Sequence, residues 1–103
     1  MTEAAYARKL RAAIKEEFGA GVVVVKAHGG PRQEAGISDL LLCVGGIFVA
    51  IELKQHRGKP TPLQAEFLRR VAIAGGRTWV LYTTTPVSEV LSWLRQILQT
   101  PPS

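Results

Sequence analysis

Apolar residues first recur at helical spacing. Tyr6, Leu10, Ala13, Ile14 and Phe18 share one face and predict a helix from Glu3 to Phe18. Thr2 suits its N-cap, Glu3 suits the positive end of its dipole, and Gly19 and Gly21 end it. The β-branched run Val22–Val25 predicts a strand. From His28 to Gly36 the pattern breaks at Gly29, Gly30, Pro31 and Gly36, as in a loop. Two apolar runs follow, Leu40–Val44 and Ile47–Leu53, and Gly45-Gly46 between them predicts a tight hairpin. After a polar loop, Thr61-Pro62-Leu63-Gln64 has the order of an N-cap, a first helical proline and a capping-box partner. That helix turns Leu63, Phe67 and Val71 inward and stops at Gly75-Gly76. Thr78–Tyr82 predicts a last strand. A last helix opens at Thr85-Pro86, with Val87, Val90, Leu91, Leu94 and Leu98 inward.

The order is helix, three strands, helix, strand, helix. It predicts an α/β fold in which one mixed sheet is flanked by helices. A strand–helix–strand connection makes the third and fourth strands parallel. Residues 1–99 form one domain in this reading, and 100–103 form a frayed tail.

Composition narrows the class. A chain of 103 residues can bury a core without staples, and a lone cysteine excludes an internal disulfide framework. No run approaches the length of a membrane span, and the N-terminus lacks the apolar segment of a secretory signal. The expectation is a cytoplasmic protein, bacterial or in a phage-infected host, with no membrane partner. Thirteen Lys plus Arg against eight Asp plus Glu give +5, which suits an anionic partner such as nucleic acid.

The single aspartate, Asp39, changes the picture. With Gly45 and Gly46 as the loop, Val44 faces Ile47 and Leu40 faces Ile51. One step further, Asp39 faces Glu52 on the same side of the sheet. Opposed side chains stand about 5 Å apart, and like charges there are destabilising. One shared proton or one cation relieves them. Lys54, two residues on, projects from the same face. Two carboxylates suit a hard cation such as Mg²⁺. A metal there can activate water for in-line attack at phosphorus, and a lysine can orient that water or neutralise developing charge.

Gly36-Ile37-Ser38-Asp39, Glu52-Leu53-Lys54 and the downstream Gln64 resemble the PD-(D/E)XK nuclease superfamily. The likeness is strongest to its VRR-NUC type, often found in phages, and to the related archaeal Holliday junction resolvases. The motif string covers residues 36 to 83, and the order of elements extends it over nearly the whole chain. Proline usually precedes the family's aspartate, and Ser38 stands there in this chain. The resemblance implies a restriction-endonuclease-like core, αβββαβ(α). It implies that Asp39, Glu52 and the Leu53 backbone carbonyl hold Mg²⁺ or Mn²⁺, that Lys54 serves the attacking water, and that Gln64 sits beside the site. Such families often add a glutamate from the first helix, for which Glu3 is the candidate and Glu17, at the far end, the alternative.

Plainer readings stand beside these. Asp39 and Glu52 could be ordinary charges at a strand end, Lys54 a salt-bridged edge lysine, Gln64 a capping residue and Glu3 a first-turn acid. His28 and His56 lack the paired spacing of a zinc site. Cys43 reads as a small core hydrophobe, and Trp79 and Trp93 as core or interface residues. Lys26, Arg32, Arg57 and Lys59 lie on loops next to the acids, as DNA-phosphate contacts would. Arg8, Lys9, Arg11 and Lys15 mark either a longer track or a solvated helix face. The resulting expectation is a Mg²⁺-dependent endodeoxyribonuclease. It would act as a homodimer on branched DNA such as Holliday junctions or flaps. The rivals are a non-cleaving nucleic-acid-binding module and a catalytic subunit active only in a larger replication, repair or restriction complex.

Overall fold

The computed structural model describes residues 1–27 and 36–100. The elements are α1 (Glu3–Phe18), β1 (Val22–Lys26), β2 (Leu40–Val44), β3 (Ile47–Lys54), α2 (Pro62–Ile73), β4 (Arg77–Tyr82) and α3 (Val87–Gln99), with a 3₁₀ turn at Gly19–Gly21 before β1. Thr2 caps α1 by accepting from the Ala5 N–H at 3.0 Å. Thr61 and Gln64 form the complete capping box of α2. Gln64 Oε1 accepts from the Thr61 N–H at 2.8 Å, and Thr61 Oγ1 accepts from the Gln64 N–H at 3.2 Å.

The four strands lie in the order β1-β2-β3-β4. The β1–β2 and β2–β3 pairs are antiparallel, and β3–β4 is parallel, as the crossover through α2 requires. Val44 pairs with Ile47 and Leu40 with Ile51, so the hairpin turns at Gly45-Gly46 in the register read from the sequence. Both glycines adopt positive φ, 56° and 81°, which a tight hairpin of this kind needs.

Strand alternation sends Leu40, Leu42, Val44, Val49, Ile51, Leu53 and Leu81 to one face. There they are buried with Tyr6, Ala7, Leu10 and Ile14 of α1 and Val90 and Leu94 of α3. Each large apolar side chain so buried contributes about 1.5–3 kcal/mol. Trp79 and Trp93 meet at 5.2 Å between ring centroids against this core, in a tilted pair. The Tyr6 hydroxyl donates to the Thr85 carbonyl at 2.8 Å, tying α1 to the loop before α3. Glu17 pairs with Arg95, joining the far end of α1 to α3.

The opposite face is covered by α2, which packs on β3 and β4. Three expectations change as a result. Cys43 points to this face beside β1, away from α2, and is exposed rather than buried. Leu63 is 60% exposed, because α2 touches the sheet mainly through its later turns, where Val71 is buried. Leu98 lies in the last turn of α3, where Ile97 rather than Leu98 packs on the core, and is 40% exposed beside Gly45. Among the described residues no helix is long and apolar enough to cross a membrane. Residues 101–103 of the expected tail lie outside the described residues.

Candidate active site

The hairpin ladder stops at Leu40–Ile51, and beyond it the two strands begin to part. The Asp39 carbonyl accepts from the Ala27 N–H at 2.9 Å, which extends the link to β1. Its side chain turns across to β3, where Oδ2 accepts from the Leu53 N–H at 2.8 Å. A side chain thus replaces a backbone rung and fixes the Asp39 carboxylate beside Glu52.

Glu52 is 2% exposed, on a strand whose Ala50, on the same face, is fully buried. Its Oε1 lies 3.7 Å from Lys54 Nζ, and its Oε2 is buried without a hydrogen-bond partner. Burial pushes its pKa up to about 8, and the Asp39 carboxylate, close enough to share a proton, pushes in the same direction; Lys54 pulls the other way without overcoming them. Glu52 is therefore largely protonated at neutral pH when no cation is present. An acid held neutral by burial and a like-charged neighbour is the electrostatic signature of a functional site.

The loop geometry around this pair is specific. Gly36 has φ of 86°, and a Cβ there would stand 2.5 Å from the Leu63 carbonyl oxygen. Only glycine lets this segment pass the first turn of α2 on its way to Asp39. Ser38 is fully buried and its hydroxyl has no partner. The sequence marks Ser38 only as a departure from proline; its place immediately before the lone aspartate is the signal that draws attention to it. After Lys54 the chain turns with Gly58 N–H donating to the Gln55 carbonyl at 2.8 Å, and Arg57 takes the left-handed φ of 68°. A non-glycine residue held there is uncommon and clusters near functional loops.

The other expected residues fall as follows. Gln64 is held through its oxygen in the capping box. Gln55 donates to the Met1 carbonyl at 3.4 Å, so the start of α1, with Glu3 in its first turn, lies at the Lys54 end of β3. Glu17 lies at the other end of α1 and is engaged by Arg95. Lys26 closes β1 next to Ala27, which is bonded to Asp39. Arg57 and Lys59 are exposed on the loop after β3, as is His56. Arg32 and His28 lie outside the described residues. Among the described residues no group of three or more His, Cys, Asp or Glu side chains converges, so Asp39 and Glu52 are the two carboxylates at this site.

No family model and no curated protein matches the chain. A solved structure of a VRR_NUC domain does, with a TM-score of 0.60 and 26% identity, over 84% of this chain and 95% of that one. The chain has the fold of a VRR_NUC domain. The mixed sheet with its flanking helices is the restriction-endonuclease-like arrangement, and the match points to a nuclease domain. In this VRR_NUC-type fold the carboxylates stand where two strands part at one end of the sheet. Two hard oxygen ligands, one of them a buried orphan, fit a divalent cation of the Mg²⁺ class by donor chemistry.

Proposed function

We propose that the chain is a divalent-metal-dependent nuclease that hydrolyses phosphodiester bonds in DNA, with Asp39, Glu52 and Lys54 as its working residues. The observation that carries this is Glu52: a carboxylate 2% exposed, one oxygen unpartnered, with Asp39 alongside and Lys54 Nζ at 3.7 Å. A merely structural acid would have both oxygens satisfied.

In this reading Asp39, Glu52 and the Leu53 carbonyl hold Mg²⁺ or Mn²⁺. Bound there, the ion supplies positive charge at the scissile phosphate and lowers the pKa of water. Asp39 is kept in place by its bond from the Leu53 N–H, so its orientation does not depend on the ion. Glu52 releases its proton when a cation occupies the site. Lys54, partly buried and beside Glu52, holds the attacking water and offsets charge that builds on the phosphate. Gln64, at the start of α2, stands by the site, and Glu3, which does not converge with Asp39 and Glu52 in this structure, would have to approach them to add a ligand. Lys26, Arg32, Arg57 and Lys59 contact phosphates that flank the scissile bond. The substrate is branched DNA, a four-way junction or a flap. So small a chain grips it best as a homodimer, in the cytoplasm of a bacterium or of a phage-infected host.

The test is a substrate panel: linear duplex, flap and four-way junction DNA, each with Mg²⁺ and with EDTA. Metal-dependent cleavage, strongest on a branched substrate, is the expected result. Tight binding with no cleavage in any metal would leave a binding module and overturn the enzymatic reading.

A further inference from the structure

A groove of about 390 Å³ lies between α1 and β1, outside the carboxylate site. Its floor is apolar, made of Ile14 from α1 and of Val22 and Val24 from the face of β1 that turns towards α1. Its rim carries two cations, Arg11 and Lys15, one turn apart on α1. β1 is the last strand on its side of the sheet, which leaves the groove open there. Its volume is within the usual range for a small-ligand pocket, roughly 300–1,000 Å³. The cations are available to a ligand. Arg69 and Arg95 are each held by a glutamate, whereas the Arg11 and Lys15 side chains have no hydrogen-bond or ion-pair partner among the described residues.

Arg8 extends the row. At about 100° per residue, Arg8, Arg11 and Lys15 fall within about 60° of one another around α1, and Glu3, Glu16 and Glu17 of the same helix fall outside that arc. The row spans about 10 Å along the axis, at about 1.5 Å per residue. Its Arg8 end points towards the start of α1, which lies at the Lys54 end of β3.

We propose that this groove binds one unpaired nucleotide of a DNA strand, its base against Ile14, Val22 and Val24 and its phosphate between Arg11 and Lys15. Arg8 takes a neighbouring phosphate on the strand's way to the carboxylates. This rests on the nuclease reading above and adds to it a recognition site for single-stranded DNA. The combination of walls and rim selects the ligand. A paired base is stacked inside its duplex and shows no face to an apolar wall, whereas an unpaired base offers one. An acidic peptide would satisfy the cations too. A row of three that leads towards the catalytic end instead suits a chain charged at every unit, as a nucleic-acid backbone is.

The test is a titration of the full chain with a short oligothymidylate in EDTA, where no metal supports cleavage. It is followed by methyl NMR and by fluorescence anisotropy at several salt concentrations. The methyl signals of Ile14, Val22 and Val24 are expected to shift saturably with the single strand and to stay in place with a duplex of the same length. Arg11→Ala/Lys15→Ala changes two exposed positions, so circular dichroism should show the variant folded. It is expected to weaken binding of the single strand about tenfold and to lower the salt slope by about 1.4, at about 0.7 per phosphate contact. Groove methyls that stay still, methyls that respond equally to the duplex, or a double variant that binds as the wild type does would each overturn the proposal and leave the nuclease reading standing. Tighter binding of a glutamate-rich peptide at these methyls would also overturn it and make the groove a peptide site. Failure of the nuclease reading shows elsewhere, as no metal-dependent cleavage of any DNA in the substrate panel, and leaves the groove's response to the single strand unchanged.

Discussion

Glu52 ties the stability of the metal-free chain to pH in an unusual direction. Its carboxyl titrates near pH 8 in the folded chain and near 4.5 in the unfolded one, chiefly because it is buried and secondly because Asp39 stands beside it. Between these values the folded state holds a proton that the unfolded state has lost. The contribution is therefore complete below about pH 4.5 and is lost progressively until pH passes about 8. A displacement of this size corresponds to at most about 5 kcal/mol, at about 1.4 kcal/mol per pH unit. Domains of this kind are stable by only about 5–15 kcal/mol, so the effect should dominate the alkaline side of the profile. Urea unfolding in EDTA at several pH values measures it directly. With slopes of about 1–3 kcal/mol per molar urea, the midpoint should fall by at least about 1 M between mildly acidic and mildly alkaline buffer. Glu52→Gln, uncharged throughout, should remove that fall. Mg²⁺ should restore the wild type at alkaline pH far more than at acidic pH, since binding to the folded state adds stability by mass action. A wild-type profile that is flat in EDTA, or a Glu52→Gln variant that keeps the wild-type slope, would refute the reasoning.

Three other substitutions probe the supports of the site. Thr61→Ala removes one half of the capping box of α2 and should cost about 1 kcal/mol by urea unfolding, with cleavage largely kept if Gln64 acts mainly as a cap. Gly36→Ala forces a side chain against the Leu63 carbonyl at a φ of 86°, so it should destabilise by at least about 1–3 kcal/mol and displace the segment leading to Asp39. Arg57→Ala and Lys59→Ala should each weaken DNA binding on every sequence alike and reduce the salt slope of affinity by about 1, as a gel-shift series at several salt concentrations will show.

The geometry of the acids was legible because a strand has period two and Gly45-Gly46 sets its origin. Those two facts carry the pairing outward to Leu40–Ile51, and one step past that last rung the Asp39 and Glu52 carboxyls are neighbours. The bond from the Leu53 N–H to Asp39 was not legible, since it depends on the strands parting one residue before the acid. Helix starts were readable where local chemistry decides them, as at Thr2 and Thr61. Burial was less so. Periodicity says which residues share a face but not whether anything covers that face, and α2 packs chiefly on β3 and β4. Cys43 and Leu63 therefore look internal in the sequence and are exposed in the fold. The raised pKa of Glu52 likewise requires knowing that Glu52 is almost completely buried.

The account stands most directly on one comparison: the rate at which wild type and Asp39→Asn cut a four-way junction or flap in Mg²⁺. Asp39→Asn keeps an oxygen able to accept from the Leu53 N–H, so the fold should survive while the charge that holds a cation is gone. The account predicts cleavage by the wild type that EDTA abolishes, and a loss of at least about a hundredfold in the variant. Cleavage that persists in EDTA, or that Asp39→Asn leaves unchanged, would contradict it.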